Sequence, residues 1–432
     1  MKNIIMLVVD GFRNDFLEKK ITPCLYNLSK KGMYFNKAYS LGPWSPPAVK
    51  GLFTSSYPLM CNDSIAISSD SITIAKLLKT YNYKTGAFVM GGWLSPFFGF
   101  DKGFDKFLCV LGAPNKSLSE KIKTKIGESF PKAREFYRRL YLKKNIEKAK
   151  GRENDKNQLK NALEFIKENK KEKLFIYIHL EGSHEPYCEG APTEELINAN
   201  CNLLKTKEEL NEQEIKTIRN LYAFDLNRTD KYIDEFIKKL KEDNLLDNTY
   251  LIVFGDHGKM LYEKGFFGHT PDFYEENIHV PLMILGNEIE PKTISTPVSF
   301  LDLSPTILDI LKIKKPESFF GESLLKFKRK YFFSEDARKR DGRFVSGIEN
   351  LKYDLTIQGI AIIHGDYKYI HKQNGKDELF NLKNDPKEKE NIINSDKEIS
   401  EKLKNLILNH IKFEEKTRKE TEDAHILEKH GF

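Results

Sequence analysis

Short apolar runs punctuate a chain otherwise rich in charge. Lys2 to Val9, Thr85 to Met90, Leu174 to His179, Thr249 to Phe254 and Val280 to Leu285 are nearly continuous in apolar residues. Runs of that length without polar alternation are what strands buried on both faces look like. Between them, apolar residues recur at helical spacing in Thr22 to Lys31, Ile72 to Tyr81, Asn157 to Asn169, Glu212 to Asp243 and Leu303 to Lys312. Strand and helix in alternation predict an α/β fold, a three-layer α/β/α sandwich around a mostly parallel central sheet. The pattern changes after residue 325. "RKYFFSEDA", "IAIIHGDYKYIHKQ" and "DELFNLKND" predict strands and hairpins, and Ser400 to Arg418 a terminal helix. The expected organisation is a large domain over 1–325, carrying an insertion over 114–156, and a smaller α+β subdomain over 326–432.

Composition narrows the class. The chain has 432 residues, 40% of them hydrophobic, which suffices for a large buried core. Its five cysteines are scattered and odd in number, with no Cys or His spacing of the metal-knuckle kind. A reducing, cytoplasmic location is the expectation. The N-terminal apolar run, Ile4 to Val9, is too short for a signal-peptide core, and no apolar run is long enough to span a membrane. A net charge of +7 gives no argument for nucleic acid. The charge is uneven, however. Lys116 to Lys150 holds twelve Lys or Arg against four Glu, with Ile122, Ile126, Phe130, Phe136, Tyr137, Leu140 and Tyr141 interleaved. It reads as a basic helical insertion. Either it is a solvated excursion, or it makes peripheral contact with an anionic membrane face or a polyanionic substrate.

The chemistry-bearing residues gather where the predicted strands end. In open α/β sheets, ligands bind beyond the carboxyl ends of the strands. "IIMLVVD" ends at Asp10 and "TYLIVFGDHG" at Asp256 and His257. "LFIYIHLEGSHEPY" presents Glu181 and His184 just past its apolar run, and "GFFGHT" adds His269. Asp and His together supply oxygen and nitrogen ligands for a divalent cation. One further stretch, "GPWSPPAVKGLFTSSYP", places Ser45 before two prolines. Ser45 reads either as a helix N-cap or as a nucleophile at the positive end of a helix.

In order along the chain, these blocks resemble the sulfatase branch of the alkaline-phosphatase superfamily. The prokaryotic sulfatase-like proteins with Ser or Thr at the nucleophile position are the nearest likeness. The resemblance rests on "VVDGFRNDFL", "ITPCLYNLSKKGMYFNKAYS", "AFVMGGWLSPFFGFDKGFDKF", "HLEGSHEPY", "FGDHGKMLYEKGFFGHT", "FYEENIHVPLMILG", "FLDLSPTILDILKI" and "GDYKYIHKQNGKDELFNLKNDP". It implies that residues 1–325 are the catalytic domain. It implies Asp10, Ser45, Asp256 and His257 as ligands of one divalent ion, whether Ca, Mg, Mn or Zn. Ser45 takes the nucleophile position, and His184 and His269 contact the substrate or leaving group. A second ion held by Glu181, His184 and His269 is the lesser alternative. Arg13 and Asp15 brace the site, and Lys259 is expected in solvent.

Three departures qualify the likeness. Gly11 stands where sulfatases commonly carry a second Asp. Val49 stands where the formylglycine maturation signal has Arg. "HLEGSH" resembles the His-x-x-Gly-Ser-His of phosphoethanolamine transferases. The expected function is metal-dependent hydrolysis of a sulfate or phosphate ester through Ser45. The alternatives are a phosphoryl-type transferase or phosphodiesterase acting on a glycan or lipid, and a degenerate, non-catalytic binding protein. An anionic ester, glycan- or lipid-linked in one form, is the expected partner, and the oligomeric state is left open.

Overall fold

The computed structural model describes residues 2–60, 65–111, 139–140, 142–143, 154–187, 193–203, 205, 207–269, 272–326, 329–337, 357–372 and 375–430. Nearly all of the basic insertion therefore lies outside the described residues, and with it the membrane-contact expectation.

The central sheet holds β1 (Asn3–Val9), β2 (Met33–Tyr39), β3 (Tyr83–Gly91), β4 (Lys106–Leu111), β5 (Lys173–Leu180) and β6 (Thr249–Gly255). A two-stranded hairpin, β7 (Met260–Leu261) with β8 (Phe267–Gly268), stands apart from it. The central sheet is completed by β9 (His279–Leu285), β10 (Lys292–Ile294) and β11 (Val298–Ser299). Its order is β10-β2-β9-β6-β1-β5-β3-β4, with β11 also on β2. Only the β9 pairings, with β2 and β6, are antiparallel. This is the predicted sandwich with its mostly parallel sheet.

The reason lies in strands such as β1. Ile4, Met6 and Val8 enter one core and Ile5, Leu7 and Val9 the other. Each side chain of a strand covered on both faces must be apolar, and each contributes about 1.5–3 kcal/mol on burial. Helices α2 (Ser45–Thr54), α3 (Ile74–Thr80) and α8 (Leu303–Ile310) cover the first face. Helices α1 (Pro23–Ser29), α4 (Asn154–Glu168), α5 (Glu194–Asn202) and α6 (Glu212–Glu242) cover the second, and the single turn α7 (Glu275–Ile278) leads into β9. The sequence reading locates most of these within a few residues. It leaves β2 unassigned, because Asn36 and Lys37 interrupt its apolar pattern.

A second, antiparallel sheet runs β12 (Tyr331–Ala337), β13 (Ile357–His364), β14 (Tyr367–Lys372) and β15 (Glu378–Asn381). The terminal helix α9 (Lys397–His430) extends beyond its predicted ends at both sides. Phe333, Ile360, Ile362, Leu403 and Ile407 share a core with Val49 and Leu52 of α2. Polar contacts tie this sheet to the start of α2. The Trp44 indole N–H donates to Asp336 at 2.9 Å, and the Glu335 N–H donates to the Leu41 carbonyl at 2.8 Å. Glu335 Oε2 accepts from the Leu59 N–H, and Oε1 pairs with His410 of α9. The C-terminal sheet thus fixes the segment entering α2.

Gly255 closes β6 just before Asp256. A Cβ there would lie 2.4 Å from the Phe12 carbonyl oxygen. Gly255→Ala should lower the unfolding free energy by about 1–3 kcal/mol, the usual cost of overpacking. Urea unfolding measures it, and an unchanged midpoint would show that the segment after β1 gives way freely.

Candidate active site

The site lies beyond the carboxyl ends of β1, β5 and β6, three neighbours in the sheet. Asp10 directly follows β1, and Asp256 and His257 follow β6. Ser45 comes from α2. The residue before that helix is Trp44, extended at φ −158° and ψ 166°, so Ser45 is the first helical residue and not its cap. Pro46 and Pro47 fill positions of the first turn that need no N–H donor. The Ser45 hydroxyl turns away from its own helix. It donates to Asp10 Oδ2 at 3.4 Å and lies 3.2 Å from His257 Nε2.

Asp256 is 1% exposed, and its two oxygens have separate duties. Oδ1 accepts the N–H groups of Gly11 and His257, at 3.2 and 2.9 Å. Oδ2 faces His257 Nε2 and His179 Nε2, each 3.6 Å away. His257 Nδ1 lies 2.7 Å from the Gly258 carbonyl. A carbonyl only accepts, so Nδ1 carries a proton, and in the neutral imidazole the Nε2 lone pair faces Ser45 and the carboxylates. His257 Nε2 and Asp10 Oδ1 are 3.5 Å apart. Burial opposes ionisation of Asp10, but His179, His257 and His184 outweigh it and hold its carboxyl well below the usual range.

Three buried polar atoms meet here without a hydrogen-bond partner: Asp10 Oδ1, Asp256 Oδ2 and His179 Nε2. Buried polar groups are nearly always satisfied, so a converging set left open points to a missing partner. Asp10, Asp256 and His257 can offer ligand atoms that all lie within 4.8 Å of one another. Ligand atoms of one first-row cation stand about 3–3.5 Å apart, which the Ser45, Asp10 and His257 spacings match. The donor set therefore fits a divalent ion. A second cluster, Glu335, His410 and Glu414, fits poorly. Its His410 Nε2 and Glu335 Oε1 are only 2.5 Å apart, a hydrogen bond rather than two ligands of one ion.

The rim differs from the sequence reading. His184 is exposed, with Nδ1 2.9 Å from the Glu185 carbonyl. His269 stands edge-on to His257, ring centres 5.1 Å apart. Glu181 points elsewhere and accepts from Asn154. Among the described residues, Glu181, His184 and His269 form no shared ligand cluster, so the lesser alternative of a second ion there finds no assembled site. Lys259, expected in solvent, is fully buried. It reaches Glu185 Oε2 at 2.6 Å and the Ser183 carbonyl at 3.2 Å. Burial disfavours the Glu185 carboxylate, but Lys259, then His184 and His269, hold its pKa low.

Arg13 is buried and donates to Asp15, Glu263 and the Lys259 carbonyl, bracing the β1 and β6 ends against each other. Asp155 organises the loop after β5. It accepts from the backbone of Glu181 and Gly182 and from Thr229, and burial pushes it up to about 6.

Sequence reasoning missed His179 and Glu185. His179 sits inside an apolar run, where a lone imidazole reads as part of the strand. Its signal is that it is the one residue within "LFIYIHL" whose type ionises near neutral pH.

Fold and site together define an α/β sandwich whose serine hydroxyl stands among carboxylate and imidazole donors at strand ends. The chain belongs to the sulfatase family: the family model "Sulfatase" matches residues 2–313. A second, for the C-terminal part of N-sulphoglucosamine sulphohydrolase, matches residues 262–413. Arylsulfatase K of Xenopus laevis is 31% identical over 191 residues, which cover 42% of this chain and 34% of that protein. The chain thus spans about a third of the length of the curated relatives it matches. Among solved structures, phosphonate monoester hydrolase from Silicibacter pomeroyi superposes with a TM-score of 0.72 at 16% identity, covering 95% of both chains. A protein solved in complex with its substrate D-glucosamine-2-N,6-O-disulfate reaches 0.66 at 17%, covering 96% of this chain and 98% of that one. These likenesses are to the fold.

Asp256→Asn keeps the Oδ1 acceptor and removes one of two adjacent buried charges. Without metal ions the variant should be at least as stable as the parent protein. At about 100 times its Kd, an ion adds about 2.7 kcal/mol to the parent protein, and none of this should appear in the variant. Thermal unfolding with and without divalent ions measures both. An equal rise in both proteins would remove Asp256 from the ligand set.

Proposed function

We propose that this sulfatase-family chain is a metal-dependent hydrolase of a sulfate or phosphate ester, with Ser45 supplying the attacking oxygen. The observation that supports it is the Ser45 hydroxyl, unused as a cap and held 3.4 Å from Asp10 Oδ2 and 3.2 Å from His257 Nε2. A divalent ion held by Asp10, Asp256, His257 and Ser45 would favour the ionised hydroxyl and neutralise charge on the ester oxygens. Ser45 Oγ forms a bond to sulfur or phosphorus as the bond to the leaving oxygen breaks. His269 or His184 returns a proton to that oxygen. Water then cleaves the ester on Ser45. The rim histidines His184 and His269 suit an anionic group. A sugar sulfate is a natural first substrate to try, since a structural neighbour was solved with one.

One observation favours phosphorus. Val49 is 1% exposed and packed into the core behind α2. It cannot supply the cation of the maturation signal, so Ser45 is expected to remain a serine. A plain serine sulfate lacks the carbonyl-forming exit of a formylglycine hydrate, whereas a phosphoserine is hydrolysed at phosphorus. The retained donor atoms at Asp10, Asp256 and His257 argue against the degenerate binding protein.

Ser45→Ala should remain folded, bind the ion more weakly and lose turnover by a factor of at least about 10³. The check is rates on paired aryl sulfates and aryl phosphates, with mass analysis of the Ser45 peptide from native protein. Loss of about two mass units at Ser45, with preference for the sulfate, overturns the phosphorus reading. Unchanged turnover in Ser45→Ala overturns the nucleophile.

A further inference from the structure

The ligand set proposed so far omits the third open atom of the site. His179 is 2% exposed, in a strand buried on both faces. Its Nε2 lies 3.5 Å from Asp10 Oδ2 and 3.6 Å from Asp256 Oδ2, so it faces both carboxylates at once. It makes no hydrogen bond at that atom. Its other nitrogen, Nδ1, is 2.8 Å from the Tyr177 hydroxyl, which can accept Nδ1–H. That arrangement frees the Nε2 lone pair, as second-layer partners of metal-binding histidines do. Tyr177 is itself held edge-on against Phe53 of α2, 4.8 Å between centres, so the imidazole is set by a rigid neighbour.

Gly11 explains why an extra ligand is needed. Its φ of +64° favours glycine, and a Cβ there would meet Ser183 Oγ at 3.3 Å and Lys259 Cε at 3.6 Å. Lys259 and Ser183 occupy the space into which a side chain at position 11 would grow. A carboxylate at that position would carry backbone strain and would have to displace those side chains. The next buried donor facing the carboxylates is His179.

We propose that His179 is a ligand of the ion, and that two imidazoles beside two carboxylates select a first-row cation such as zinc or manganese over calcium. Imidazole nitrogen suits transition ions, whereas calcium takes oxygen donors almost exclusively. This rests on the reading that Asp10, Asp256 and His257 hold an ion. The rival account makes His179 a protonated partner of the two carboxylates, which needs no metal contact.

The test is calorimetric titration of metal-stripped protein with Zn²⁺, Mn²⁺ and Ca²⁺, together with pulsed EPR of the Mn²⁺-loaded form. The parent protein should bind one Zn²⁺ at least about a hundredfold more tightly than Ca²⁺ and show nitrogen coupling from two imidazoles. His179→Ala should lose at least about tenfold in Zn²⁺ affinity, leave Ca²⁺ affinity nearly unchanged, and show one imidazole. His179→Gln, which preserves bulk and a polar end, serves if the alanine variant does not fold. Tyr177→Phe should weaken Zn²⁺ binding while keeping both couplings. Two couplings retained in His179→Ala, or calcium bound as tightly as zinc, overturn the proposal and leave the underlying ion site standing. An absence of binding by any ion in the parent protein overturns both.

Discussion

Two carboxylates stand side by side at the ends of adjacent strands, and one of them, Asp256, is almost wholly removed from water. Burying like charges together is costly unless opposite charge and hydrogen bonds compensate. The rest of the site answers that constraint. Backbone N–H groups of Gly11 and His257 take one oxygen of Asp256. Imidazoles on two sides, His179 and His257, face the remaining oxygens of Asp256 and Asp10. What is left open points inward, toward one place beside the Ser45 hydroxyl.

Holding that arrangement requires the sheet and its C-terminal partner together. Parallel strands β1, β5 and β6 bring Asp10, His179 and Asp256 to one edge because they are neighbours in register, Val8 beside His179 and Val9 beside Gly255. Ser45 comes from another direction and depends on where α2 begins. Trp44, anchored by Asp336, and Leu41, anchored by Glu335, set that start. His410 stacks on Phe333 at 3.7 Å and bonds Glu335, which carries the constraint out to α9. The second sheet is therefore part of what positions Ser45, although none of its described side chains reaches the donor cluster.

Much of this was legible in the sequence, and the limits have physical causes. A single acid at a strand end is as often a cap or turn former; Asp10 and the Asp256-His257 pair stand out because two apolar strands end in acid, with further histidines close behind. Ser45 was legible as a residue and ambiguous in role, since Ser-Pro-Pro fits a cap as well as a nucleophile. The backbone removes the cap reading by making Trp44 the cap position. His179 was hidden by its own strand: strand periodicity shows which face a residue takes and not what lies at the end of the side chain. Lys259 and Glu185 are 74 residues apart, and no local pattern joins them. The same holds for Trp44 and Asp336, 292 residues apart. Long-range polar pairs are choices of the fold, and single-sequence patterns record only their ends.

Lys259 also clarifies how the site departs from its family resemblance. Gly11 lacks the carboxylate that the family resemblance implies there, and Lys259 adds a cation two residues past His257. Both changes move the local charge in the positive direction. Yet the ammonium is fully buried, paired with Glu185, and hydrogen-bonded to the Ser183 carbonyl, so its charge is spent within the protein. It therefore acts on the backbone carrying His184 and on the space beside Gly11, not on a free substrate oxygen. With that cation committed, the attraction for the proposed anionic ester would fall to an ion held by Asp10, Asp256 and His257 and to the imidazoles of His184 and His269. The glycine backbone at position 11, and the commitment of Lys259 to Glu185, are one packing solution seen from two strand ends.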